Sequence, residues 1–252
     1  MPGLREETLD LLERVGRGEL SPGEALDRLS VLPFENLGFA RVDLHRELRQ
    51  GAPEAVLGQG KTPEQVVGIV RAMVEGGAGS VLVTRADAET RAAVREAVPD
   101  AKEHELARLV WVERALPEPR GVVALVSAGT SDGPVLHEAR VRAELLGVET
   151  VVHEDTGVAG LHRLAGVLPD LERADCVVVV AGMDAALASV VGGLVAAPVI
   201  GVPTSTGYGV AEGGRTALNA MLTSCAAALA VVGIDDGLGA GTVAARIARG
   251  RA

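Results

Sequence analysis

The chain has almost no aromatic side chains: one Trp, one Tyr and two Phe in 252 residues, or 2%. Its core must therefore be built from Val, Leu and Ala, a style that suits sheets covered by helices. Cysteine is nearly absent as well. Cys176 and Cys225 cannot form a disulfide scaffold for a chain this long, and a reducing cytoplasm is the simpler setting. Basic charge is in deficit, with 24 Lys and Arg against 34 Asp and Glu and a formal net charge of −10. That balance argues against nucleic acid as a partner, because phosphate-backbone binding needs a basic face. A phosphorylated small molecule stays admissible, since backbone N–H groups and helix N-termini bind anions locally. No apolar run makes an unbroken membrane span. The longest, Val177–Met183 and Ala185–Ile200, are interrupted by glycines and Asp184. Residues 1–12 carry Glu6, Glu7 and Asp10 and no apolar h-region, so they do not read as a signal peptide. His104, His137, His153 and His162 lack metal-ligand spacing, which disfavours a zinc site. There is no internal repeat and no low-complexity tract.

What is present is a regular alternation. The 32 glycines stand largely at element ends and read as turns. The first 30 residues look helical, with a capping box at Ser21-Pro22-Gly23-Glu24. Residues 37–44 are extended or irregular, and Glu54–Leu57 is a strand candidate. A second capping box, Thr62-Pro63-Glu64-Gln65, opens a helix to about Glu75. Ser80–Thr84 reads as a buried strand and Ala88–Val98 as a helix. Pro117-Glu118-Pro119 marks a seam, predicting an N-terminal α/β domain over residues 1–117 and a second domain over 118–252. Beyond the seam the expected strands are Val122–Val126, Thr150–His153, Asp175–Val180, Val199–Val202 and Ala228–Ile234. The last could be helix by composition, but its bounding turn signals favour a strand. The helices between them are Gly133–Leu146, Gly160–Leu168, Asp184–Ala196, Gly213–Leu222 and Thr242–Ala252. Such alternation implies an α/β fold with a parallel, doubly wound sheet. Ligands bind such sheets outside the carboxyl ends of the strands. Those ends are Ser127–Asp132, His153–Gly157, Ala181–Asp184, Pro203–Gly209 and Asp235–Gly241, so the polar and glycine-rich loops fall on one edge.

Several of these residues admit two readings. Ser127, Gly129, Thr130, Ser131 and Asp132 suit ribose or phosphate binding, or a helix N-cap, and both can hold at once. Thr204, Ser205, Thr206, Gly207, Tyr208 and Gly209 combine three hydroxyls, two glycines and the sole tyrosine, an odd way to make a plain turn. Arg215, at a helix start, suits an anion or simply water. Lys61 follows Gly58-Gln59-Gly60, but the spacing is not that of a P-loop. Asp43-Leu44-His45-Arg46 packs an acid, an imidazole and a guanidinium together, usually a solvated face. Cys176, beside four valines, is a small buried apolar residue. Cys225 is either the same or a nucleophile, which would need surroundings that favour thiolate. With that thiol, the chain could hold a nucleotide at one end of a sheet and offer it a sulfur. No Gly-x-Gly-x-x-Gly follows a strand, which disfavours a nicotinamide-dependent dehydrogenase.

These stretches carry a resemblance. Asp43-Leu44-His45-Arg46, Gly58 to Glu64, Val81 to Arg85, Ser131-Asp132, Gly157 to Arg163, Ala181-Gly182-Met183, Ser189 to Val195, Pro203 to Gly209 and Ser224-Cys225-Ala226 together resemble the LarB family, which begins synthesis of the nickel-pincer cofactor. The C-terminal part is similar to PurE-type aminoimidazole ribonucleotide carboxylases. The resemblance implies a flavodoxin-type three-layer C-terminal domain. It implies carboxylation of the pyridinium ring of nicotinic acid adenine dinucleotide by CO2 or bicarbonate, with phosphoanhydride hydrolysis. The products would be pyridinium-3,5-biscarboxylic acid mononucleotide and AMP. It further implies Cys225 as nucleophile, Asp43 and Asp184 as acid/base carboxylates, and Mg2+ (with Asp184 a ligand) but no organic cofactor. Ser127, Gly129, Thr130, Ser131, Asp132, Gly182, Met183 and Thr204 to Gly209 would contact substrate, and Arg46, Lys61 and Arg215 would neutralise pyrophosphate. A homo-oligomer, octameric by analogy with PurE, is expected. The chain departs from the family at Asp184, where glutamate is usual, at Ala188, in place of proline, and at Ala227-Ala228, in place of Pro-Gly.

Overall fold

The computed structural model describes residues 4–30, 35–44 and 46–251; His45 and Ala252, part of the sequence expectations, lie outside them. The chain divides into two compact units, Met1–Leu116 and Pro117–Ala252. No helix among the described residues is long and apolar enough to cross a membrane.

The first unit holds helices α1 (Leu4–Gly16), α2 (Pro22–Ser30), α3 (Arg46–Gln50), α4 (Pro63–Glu75) and α5 (Ala88–Ala97). Its strands are β1 (Glu35–Asn36), β2 (Arg41–Val42), β3 (Ala55–Leu57), β4 (Ser80–Thr84), β5 (Lys102–His104) and β6 (Leu109–Glu113). Both capping boxes form. The Ser21 hydroxyl accepts from the Glu24 N–H while the Glu24 carboxylate accepts from the Ser21 N–H, and Thr62 and Gln65 do the same for α4. A four-stranded sheet runs β3-β4-β6-β5, with only β3 and β4 parallel. The antiparallel β5–β6 pair has no counterpart in the sequence expectations. β5 is an edge strand of Lys-Glu-His, paired on one side, so it lacks the apolar alternation that would announce it.

The second unit contains β7 (Val122–Ser127), α6 (Gly133–Leu145), β8 (Glu149–His153), α7 (Leu161–Arg173) and β9 (Cys176–Ala181). It continues with α8 (Ala186–Leu194), β10 (Val199–Pro203), α9 (Arg215–Leu222), β11 (Leu229–Val231) and α10 (Gly237–Arg251). All five strands are parallel, in the order β8-β7-β9-β10-β11. Helices α6 and α10 pack together over one face, and α7, α8 and α9 cover the other. Coverage on both faces explains why β9 reads Cys-Val-Val-Val-Val-Ala without polar alternation: every residue of it is buried. One apolar cluster joins Ala124 and Val126 of β7 to Leu171, Leu187, Val191 and Met221 on the covering helices.

Two helix boundaries lie five residues from expectation. Helix α7 continues past Pro169 to Arg173. Pro169 removes one N–H, but Ala165, whose carbonyl would have accepted it, lies on the exposed side, where water can serve. The run Gly237–Gly241 is not a ligand loop but the first turn of α10. Its glycines permit close packing on α6, because a Cβ at either end would strike the Val135 or Ala139 carbonyl.

Candidate functional site

In the second unit the first strand, β7, lies between the second and third, so successive connections leave in opposite directions between β7 and β9. Such a switch point leaves a crevice at the carboxyl edge. A cavity of about 370 Å³ sits there, within the size range of small-molecule sites. Its walls are residues 128–132 after β7, Asp155 and residues 157–159 after β8, Arg163 of α7, residues 181–187 after β9, and Thr206.

Asp132 holds three of these loops together. It is 3% exposed. Its carboxylate accepts from the Gly129 N–H at 3.0 Å and the Thr204 hydroxyl at 2.6 Å, and the Gly182 N–H also donates to it. Burial raises its pKa above the usual carboxylate range; the three donors oppose that rise, and nearby Asp235 adds to it. Asp235 in turn accepts the Ser205 N–H at 2.8 Å. Gly182 is required where it stands, since a Cβ there would lie 2.7 Å from Thr204 Oγ1 and 3.0 Å from Thr206 Cβ and would meet the Thr206 carbonyl. Gly182→Ala is expected to destabilise the fold by about 1–3 kcal/mol through overpacking, measured by urea unfolding, and to weaken ligand binding at the cavity.

Backbone strain concentrates here. Asp155, Met183 and Ala185 have φ of 55°, 54° and 52° without being glycine, and all three line the cavity. Such conformations persist where the surrounding structure imposes them, and they cluster at functional sites.

The cavity gathers part of the sequence-expected set and leaves part outside. Gly129, Thr130, Ser131, Asp132, Gly182, Met183, Asp184 and Thr206 line it; Ser205, Gly207, Tyr208, Gly209 and Arg215 do not. Tyr208 is 77% exposed. Thr204 is buried and acts through Asp132. Ser127 is fully buried: its hydroxyl accepts the Asp155 N–H at 3.3 Å and its carbonyl accepts Thr156, so it braces the loop after β8. Asp184 is exposed at the rim and accepts the Ala186 N–H at 3.2 Å.

Two charged wall residues, Arg163 and Asp155, were given no role from sequence. Arg163 is the one cation among the lining residues, 2.5 Å from Asp155. Arg163 ends the Gly157 to Arg163 stretch, and Asp155 lies in the His153–Gly157 strand end, so both had a signal in the sequence. Elsewhere His137 pairs with Glu154 and His153 with Asp170, each at 3.0 Å. Among the described residues no group of three or more His, Cys, Asp or Glu side chains could hold a metal ion.

In the first unit, Glu54 organises the other candidates. It accepts the Asp43 N–H at 3.0 Å and lies 4.0 Å from Arg46. It shares a cavity of about 250 Å³ with Arg41 and Lys61. Lys61 Nζ donates to the Leu57 carbonyl at 2.8 Å.

Cys225 is exposed, on the turn between α9 and β11. The expectation that one chain offers this thiol at its own ligand edge is corrected. Cys225 precedes a strand of a parallel sheet, which puts it on the amino side of β11, and it does not line the cavity. Its turn still reaches the cavity's supporting helix: Ser224 Oγ is 2.7 Å from Ser189 Oγ of α8. Cys176 is fully buried, and that burial pushes its thiol up to about 12.

Residues 34–114 match the LarB/PurE-like N-terminal domain, and residues 122–251 match the AIR carboxylase domain. The uncharacterized protein MJ0165 of Methanocaldococcus jannaschii is 36% identical over 250 residues, covering 95% of this chain and 96% of that protein. Among solved structures, a variant of Treponema denticola PurE2 is similar at 21% identity and a TM-score of 0.42, over 52% of this chain and 80% of that one. Treponema denticola PurE gives 21%, 0.40 and the same coverage. The two domain matches support a carboxylase-type enzyme. With both domains in order along one sequence, and a relative alike from end to end, the chain belongs to the LarB family and carries a PurE-like C-terminal domain.

Proposed function

We propose that the enzyme carboxylates the pyridinium ring of nicotinic acid adenine dinucleotide with CO2 or bicarbonate and hydrolyses its phosphoanhydride. The products are pyridinium-3,5-biscarboxylic acid mononucleotide and AMP. The observation that carries this reading is the strained, Asp132-locked cavity at the switch point of a LarB-family chain, with Arg163 as a cation in its wall.

A pyridinium is electron-poor and does not attack CO2. Addition of the Cys225 thiolate to the ring gives a neutral dihydropyridine, whose free carbon meta to nitrogen is an enamine carbon. That carbon bonds to CO2, a base takes its proton, and the C–S bond breaks to return thiolate and an aromatic ring. Covalent catalysis thus divides one prohibitive step into feasible ones. Asp184, in the cavity wall, is a carboxylate that can serve either as that base or as a metal ligand. Arg163 can exchange Asp155 for a substrate anion. Mg2+ usually binds through one or two carboxylates together with substrate phosphates and water, so Asp184 would hold it, and it would neutralise phosphoanhydride charge.

Because Cys225 does not line its own chain's cavity, the reading needs a homo-oligomer in which one copy's thiol meets another copy's cavity. Mixing Cys225→Ser with Asp184→Ala protein, after dissociation and reassociation, should restore activity to roughly a quarter of wild type, as random pairing across a closed interface allows. Continued inactivity of the mixture would contradict the shared site. The assay is mass spectrometry of products from dinucleotide, bicarbonate and Mg2+. AMP with a mononucleotide one carboxyl group heavier supports the reading, and binding without turnover favours a nucleotide sensor.

The AIR carboxylase match over residues 122–251 favours a second reading, carboxylation of aminoimidazole ribonucleotide. That chemistry needs no thiol, so full activity of Cys225→Ser would select it.

A further inference from the structure

We infer that Ser189 is a positioning residue for the reaction at Cys225, an inference that rests on the nucleophilic role proposed for that thiol. The turn carrying Cys225 is fixed at two points on one helix, α8. On one side of the cysteine, Ser224 Oγ lies 2.7 Å from Ser189 Oγ. On the other, Ala226 sits so close to Gly192 that a Cβ at Gly192 would be 2.9 Å from Ala226 Cβ. Ser189 and Gly192 are three residues apart and so share one helix face.

The same helix reaches the ligand cavity. Ala186 and Leu187, in its first turn, line the cavity, and Ala185 just before it is held in left-handed backbone geometry. Ser189 follows Ala186 by about 4.5 Å of helix rise. A single rigid element therefore carries both a cavity wall and the support of the thiol. The Ser224 hydroxyl also accepts the Ala226 N–H at 3.2 Å, bridging over Cys225. A hydroxyl at 189 fixes the position of that bridge and leaves Cys225 itself exposed.

The test compares Ser189→Ala, Ser189→Thr and wild type in full-length protein. Ser189→Ala should lower kcat about fivefold, as loss of one hydrogen bond allows, with KM held within about twofold. Its melting temperature should stay within about 3 °C, and iodoacetamide alkylation of Cys225, read by intact mass, should stay within about twofold because the sulfur remains exposed. Ser189→Thr, which keeps the hydroxyl, should restore kcat. An unchanged kcat in Ser189→Ala, or an alkylation rate that falls in step with kcat, would overturn the inference while an inactive Cys225→Ser leaves the proposed reaction standing. Full carboxylation by Cys225→Ser would instead overturn the reaction and the inference together.

Discussion

Replacing Cys225 with serine is expected to lower carboxylation about a thousandfold or more, the scale of loss when a covalent nucleophile is removed. Serine keeps the size of the side chain but is a far weaker nucleophile near neutral pH. Dinucleotide affinity, measured by calorimetry, should stay within about twofold, because the loops that line the cavity do not include residue 225. The second cysteine is the internal control. Cys176 is fully buried in β9 with its thiol pushed up to about 12, so Cys176→Ala should leave turnover intact. If Cys225→Ser retained turnover, a mechanism without sulfur would be required.

Loss of the Asp132 carboxylate should be the most damaging change at the cavity itself. Asp132→Ala removes the acceptor of the Gly129 N–H, the Gly182 N–H and the Thr204 hydroxyl, the last two of them buried. Each unsatisfied buried donor costs about 1–3 kcal/mol, so unfolding stability should fall by several kcal/mol and ligand binding should be lost with it. Asp132→Asn separates charge from shape. Burial raises the folded-state pKa of Asp132 above its unfolded value. Its contribution to stability is therefore fully present below the unfolded pKa and declines as pH rises through the folded one. The urea midpoint of Asp132→Asn should lack that decline, while the wild type shows it above the ordinary carboxylate range. Parallel pH profiles for the two proteins would show that Asp132 does not titrate in this way.

The strand–helix alternation after residue 120 was legible because its three central strands, β7, β9 and β10, are buried apolar runs flanked by glycine or polar turns. The order β8-β7-β9-β10-β11 supplied what one dimension could not: it puts residues 128–132 beside residues 181–187. Thr204 and Ser127 look like ligand hydroxyls in sequence, yet both are buried and spend their hydrogen bonds on neighbouring loops. Sequence shows a hydroxyl but not its partner. The Asp235–Gly241 stretch misled for a related reason, since glycine serves close helix packing as readily as a turn. Arg163 was visible in the Gly157 to Arg163 stretch, but only the fold shows it facing the crevice beside Asp155. Placement of Cys225 was deducible in advance: a residue that precedes a parallel strand cannot share the edge that follows it.

The most direct measurement is intact-mass and peptide mass spectrometry of the assembled enzyme, mixed with nicotinic acid adenine dinucleotide and quenched during turnover. A pyridinium-derived adduct on Cys225, absent from Cys176, is expected, together with AMP and a mononucleotide one carboxyl group heavier. Formation of the heavier mononucleotide by an enzyme whose Cys225 is already capped by alkylation would contradict this expectation.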